Sequence, residues 1–137
     1  MKIFFDTSSF VKLYINESGS SKVSEFYKNA DVVALSAICF PEIISTLNRL
    51  LREKSISSEE YQKIKNIVLA DMKVVKICEI TPEIIQRTIK CLESNRLRAM
   101  DAIHLACAIS IIPDLFISSD KRQVTAARQE GLNIIEI

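Results

Sequence analysis

Short apolar runs alternate with longer amphipathic segments along the whole chain. The runs at 2–5 (KIFF), 32–35 (VVAL), 74–77 (VVKI), 114–117 (DLFI) and 133–136 (NIIE) have a strand's length and are rich in β-branched or aromatic side chains. They are predicted as strands. The segments between them carry helical spacing. In 41–53, Ile43, Ile44, Leu47, Leu50 and Leu51 follow the stripe of an amphipathic helix, and Pro41 suits its first turn. Ser57 and Glu60 have the spacing of a capping box, opening a helix that runs to about Asp71. Thr81 before Pro82 opens another, and Gly131 reads as a helix C-cap before the last strand. Alternating strands and helices imply crossover connections that cover both faces of a sheet. The expected fold is a three-layer α/β/α sandwich with a central, mainly parallel sheet, forming one domain over residues 1–137.

Composition adds mostly exclusions. Only two Gly and three Pro occur, so no flexible linker divides the chain. Eighteen Lys and Arg face seventeen Asp and Glu. A net charge of +1 therefore selects no partner, and a nucleic-acid surface must come from local clustering. Asp6 interrupts the first apolar run at strand length, so that run reads as a strand rather than a signal peptide. No apolar stretch approaches the roughly 20 residues that span a bilayer. The expectation is a soluble, cytoplasmic chain with no membrane partner. Cys39, Cys78, Cys91 and Cys107 show no C-x-x-C spacing, and a lone histidine completes no familiar zinc set with them. They read as buried, reduced thiols.

The chemistry lies where the strands end. In open α/β sheets the ligand crevice lies beyond the carboxyl ends of the strands. Asp6 follows the first strand and Asp120 follows LFISS. Glu42 stands in the first turns of the helix after the second strand, and Asp101 near the start of the helix before the fourth. Singly, Asp6 and Asp120 suit helix caps and Glu42 suits a helix's first turn. Asp101, between Met100 and Ala102, is harder to place on a solvated face. Together the four acids can converge on one pocket, where they must either raise their pKa values or take up a cation. An all-oxygen set suits Mg²⁺ or Mn²⁺, ions able to polarise a phosphodiester and activate water. His104, one turn beyond Asp101, reads as a packed, hydrogen-bonded residue that anchors the helix. Ser8 and Ser118, each two residues from an acid, are placed to bond a carboxylate or a metal-bound water, whereas Thr7 and Ser119 read as caps or spacers. Among the basic clusters, Lys121 and Arg122 follow Asp120 and Arg98 precedes Asp101, so these three are expected to flank the crevice and hold a phosphate backbone.

These motifs resemble those of PIN-domain ribonucleases. FFDTSSFVKLY is similar to the family's opening strand and acid, LSAICFPEIISTLNRL to its second motif, LRAMDAIHLACA to its third, and LFISSDKR with GLNII to its fourth. The layout is most similar to the toxins of VapBC-type toxin–antitoxin pairs. The resemblance implies a divalent-metal endoribonuclease using Asp6, Glu42, Asp101 and Asp120, usually dimeric and held in check by a cognate antitoxin protein. Alternatives are a housekeeping RNA-processing nuclease of the same fold and a catalytically silent module that binds RNA or protein. An aspartyl-phosphate phosphatase would need an acid where Ser8 stands, and a receiver domain an acidic pair where Phe5 precedes Asp6.

Overall fold

A computed structural model describes residues 1–137. Its five strands are β1 (Lys2–Phe5), β2 (Val32–Ser36), β3 (Lys76–Cys78), β4 (Leu115–Ser118) and β5 (Ile134–Glu136). They form one sheet in the order β3-β2-β1-β4-β5, and every neighbouring pair is parallel. The helices are α1 (Thr7–Phe10), α2 (Ser20–Asn29), α3 (Cys39–Arg52), α4 (Ser58–Asp71), α5 (Pro82–Ser94), α6 (Ala99–Ile111) and α7 (Lys121–Gln129), with a 3₁₀ turn at Val11–Leu13. None is long and apolar enough to cross a membrane.

The side-chain alternation of β-strands produces the layers. Ile3, Phe5, Leu35 and Ile117 point to one face, where they pack with Phe10, Val23, Ile43, Leu47 and Val68. Phe4, Ala34 and Phe116 point to the other and pack with Ile84, Leu105, Ala106 and Ala126. Phe4 and Phe116 meet edge to face with centroids 5.4 Å apart. Strands apolar on both faces are what a doubly covered parallel sheet requires.

Two expected boundaries move. The third strand begins at Lys76, not at 74, because the end of α4 unwinds through a turn in which the Val74 amide bonds the Asp71 carbonyl. The helix expected from 41 begins at Cys39, placing Pro41 inside the first turn. The remaining strands match their expected spans to within one residue. Both expected caps form: Ser57 and Glu60 exchange hydrogen bonds, and Thr81 accepts from the Ile84 amide. Gly131, at φ +81°, closes α7 with hydrogen bonds to the carbonyls of Arg128 and Ala127 from its own amide and that of Leu132. Cys39, Cys91 and Cys107 are buried and Cys78, on the sheet's edge strand, is half-buried; all four are free thiols. Burial pushes Cys91 up to about 11 and the Cys39 and Cys107 thiols higher still, so none of these three is a ready nucleophile.

Candidate active site

The chain runs from β1 outward through β2 and β3, then returns to the far side of β1 as β4 and β5. The strand order reverses between β1 and β4, the switch point at which open α/β sheets form a crevice. A cleft of about 350 Å³ lies there. Asp6, Glu42, Asp101 and Asp120 line it with Thr7, Ser8, Ser45, Thr46 and His104, and no hydrophobic residue contributes. Each acid is delivered by a helix start. Asp6 is the N-cap of α1 and Asp120 the N-cap of α7, while Glu42 and Asp101 occupy the first turns of α3 and α6.

Asp6 is the most constrained of the four, at 3% exposure. Its Oδ1 accepts from Ser8 Oγ at 2.8 Å and from the amide and hydroxyl of Ser9 at 3.0 Å each. Its Oδ2 accepts from Ser118 Oγ at 2.5 Å. Burial raises the Asp6 carboxyl above its ordinary value, although these donors and the nearby His104 pull the other way. Ser8 and Ser118, expected to bond a carboxylate or a metal-bound water, both donate to the Asp6 carboxylate. Ser8 Oγ also accepts from the Ser119 amide at 2.9 Å, tying the ends of β1 and β4 together.

Glu42 and His104 form the opposite wall. His104 Nε2 bonds Glu42 Oε1 at 2.6 Å, and Thr7 Oγ1 donates to the same oxygen at 2.6 Å. On the ring's other side Nδ1 meets Ser36 Oγ at 2.8 Å. An ionised carboxylate only accepts, so Nε2 carries a proton and Ser36 fixes the ring's orientation. Burial raises the Glu42 carboxyl, but the hydrogen bonds from His104 and Thr7 outweigh it and hold the group below its ordinary value. His104 is packed, with 2% exposure, yet it does more than anchor α6: it grips one of the four acids. Thr7, expected as a cap or spacer, does the same. Ser119 does neither for its own side chain, whose buried hydroxyl has no partner.

Asp101 is held differently. Its carboxyl lies above its ordinary value through burial first, then through the like charges of Asp120, Asp6 and Glu42, with His104 opposing. Position comes through the backbone, where the wholly buried Gln123 donates from Nε2 to the Asp101 carbonyl at 3.0 Å. Asp120 Oδ1 accepts from the amides of Arg122 and Gln123 at 2.8 and 3.3 Å, which directs its other oxygen elsewhere. No three His, Cys, Asp or Glu groups stand close enough to form a closed metal site. The donor set nevertheless fits a hard divalent cation. It is all oxygen, it surrounds one open cleft, and the like charges that add to burial in raising Asp101 are what such an ion offsets.

Of the expected phosphate-holding residues, Lys121 and Arg122 stand on the first turn of α7 beside Asp120. Arg98 is exposed at the N-cap position of α6 and lines neither this cleft nor the neighbouring cavity, whose third cationic side chain is Arg96.

Comparison with known proteins places this geometry. Ribonuclease VapC45 of Mycobacterium tuberculosis strain CDC 1551 is 28% identical over 134 residues, covering 96% of this chain and 93% of that protein. The crystal structure of Mycobacterium tuberculosis VapC20, described as a Sarcin-Ricin loop cleaving toxin, matches with a TM-score of 0.71 at 18% identity, covering 98% of each chain. A toxin–antitoxin complex from Klebsiella pneumoniae matches with a TM-score of 0.71 at 16% identity, over 98% of this chain and 99% of that one. The family model described as PIN domain matches residues 3–129, a span that holds α1, α3, α6 and α7, the four helices whose starts carry the acids. A parallel five-stranded sheet with an acid-lined cleft at its switch point is thus accounted for by descent as well as by physics: the chain belongs to the PIN domain family.

Proposed function

We propose that this protein is a divalent-metal-dependent endoribonuclease, the toxin of a toxin–antitoxin pair, and that it hydrolyses RNA phosphodiester bonds in the acid-lined cleft. The observation that carries the reading is the convergence of Asp6, Glu42, Asp101 and Asp120 in a cleft without a hydrophobic wall residue. Such a surface suits a charged, hydrated substrate handled through a cation rather than an apolar ligand. The ribonuclease name of the relative at 28% identity supports RNA as the substrate. The toxin–antitoxin complex among the structural neighbours supports an antitoxin protein as partner. The reading includes action as a homodimer in the cytoplasm.

Asp6, Glu42, Asp101 and Asp120 would hold Mg²⁺ or Mn²⁺. When bound, such an ion supplies polarisation of the scissile phosphate and activation of water. The protein's own contribution is to fix the carboxylates. Ser8, Ser9 and Ser118 lock Asp6, and Thr7 and His104 lock Glu42. Lys121 and Arg122 stand ready to take the flanking phosphates.

The test is incubation with a mixed RNA pool in Mn²⁺ or in EDTA. Cleavage that needs the metal and disappears in Asp6→Asn and Asp101→Asn is the expected result. Cleavage unaffected by EDTA sinks the mechanism, and RNA binding with no cleavage under any metal points to the silent module.

A further inference from the structure

We infer that a second cavity, on the far side of Asp120 from the acid-lined cleft, is a binding subsite for the phosphate backbone of single-stranded RNA. The inference rests on the ribonuclease reading above and names the surface that receives the strand outside the cleft. The cavity has a volume of about 460 Å³ and lies between the end of α5 and the side of α7 that carries Lys121, Arg122, Thr125 and Gln129. Arg96, Lys121 and Arg122 line it, with the polar side chains of Asn95, Thr125 and Gln129; its one hydrophobic lining residue is an alanine.

Three features point to a polyanion. First, the three cations have no carboxylate partner. The chain's ion pairs are the amino terminus with Asp31, Lys12 with Glu17, Arg49 with Glu53 and His104 with Glu42. Second, Lys121 and Arg122 are the first two residues of α7, where a positive charge opposes the helix dipole. Their position works against the helix and is compensated once an anion lies over that end. Third, a strand passing through a cleft lined by four carboxylates is repelled on both sides of the bond to be cut. Asp120 belongs to the cleft while its two successors belong to the cavity, so the backbone passes from one to the other across a single helix start. No aromatic side chain lines the cavity. It therefore reads phosphate and not bases, adding affinity without sequence preference.

The experiment uses the full chain in EDTA, where binding is separated from cleavage, and a fluorescent single-stranded RNA oligonucleotide titrated across a KCl series. Each phosphate contact to single strands contributes roughly 0.7 to the slope of log K against log salt. The triple variant Arg96→Gln, Lys121→Gln, Arg122→Gln is expected to lower that slope by about 2. The α4 control Lys63→Gln is expected to leave it unchanged. All three substituted side chains are exposed, and melting curves are expected to show that the triple variant folds and that Lys121→Gln and Arg122→Gln melt slightly above wild type. A triple variant with the wild-type salt slope overturns the inference, as does an acidic peptide that binds the cavity without competing with RNA. Absence of cleavage by the wild-type chain in Mn²⁺ overturns the ribonuclease reading instead, and the salt slope distinguishes the two failures.

Discussion

His104→Phe replaces a buried ring by one of similar size while deleting both nitrogens. Packing is largely kept, so the cost falls on the polar partners. Ser36, fully buried, loses the bond of its hydroxyl to Nδ1 and is left unsatisfied, at about 1–3 kcal/mol. Glu42 loses its bond to Nε2; its side chain is 32% exposed, so water recovers part of the loss and the low end of the charged range, about 1.5 kcal/mol, applies. The sum is about 3 kcal/mol, which at this chain length lowers the melting midpoint by about 10–15 °C. Calorimetric melts in EDTA measure it. Ser36→Ala in the His104→Phe background removes the orphaned hydroxyl, so the double variant is expected to be more stable than the sum of the single effects by about 1 kcal/mol. His104→Gln keeps an amide donor toward Glu42 and is expected to lower stability more than turnover per folded molecule. A His104→Phe midpoint within about 2 °C of wild type, or strictly additive single effects, would refute the claim that the Ser36–His104–Glu42 chain is a structural unit.

Two further outcomes separate charge from scaffold. Because Asp101 has a raised carboxyl, the folded state holds its proton more tightly than the unfolded chain does, so its contribution is full below the ordinary carboxylate range and is lost as pH rises through the folded value. Asp101→Asn is therefore expected to melt above wild type at pH 7 in EDTA, with the gap closing below about pH 4; a variant that melts lower at pH 7 contradicts this sign. Asp120 both faces the cleft and caps α7. Asp120→Ala should lose about 1 kcal/mol of stability, whereas Asp120→Asn keeps a good cap; both should lose cleavage, and equal melting midpoints would show that the cap carries no energy.

The architecture was readable because period-two apolar runs and helix caps are local signals. The strand-end rule then converted spacing into proximity, which is why Asp6, Glu42, Asp101 and Asp120 could be grouped across the chain. Hydroxyl partners were less accessible. Thr7, Ser9 and Ser36 look like ordinary turn and cap residues, and only folding brings Ser118 onto Asp6 or Ser36 onto His104, 112 and 68 positions away. Gln123, inside a polar helix, gave no sign that it would be wholly buried against the Asp101 backbone. Arg96 and Arg98 are two residues apart in an irregular connection, and sequence spacing does not say which one turns toward α7.

Four helices, α1, α3, α6 and α7, start at the edge of the sheet that holds the cleft, and each brings one acid there. Backbone amides at helix starts present partial positive charge and ordinarily make an anion receptor. The side chains reverse its sign: a scaffold suited to holding phosphate has been turned into one suited to holding a cation that in turn holds phosphate. The amide groups then act as a built-in counter-charge that lets four carboxylates share one cleft without unfolding it. Polarity at this edge is thus a property of four side chains laid over a backbone of the opposite preference.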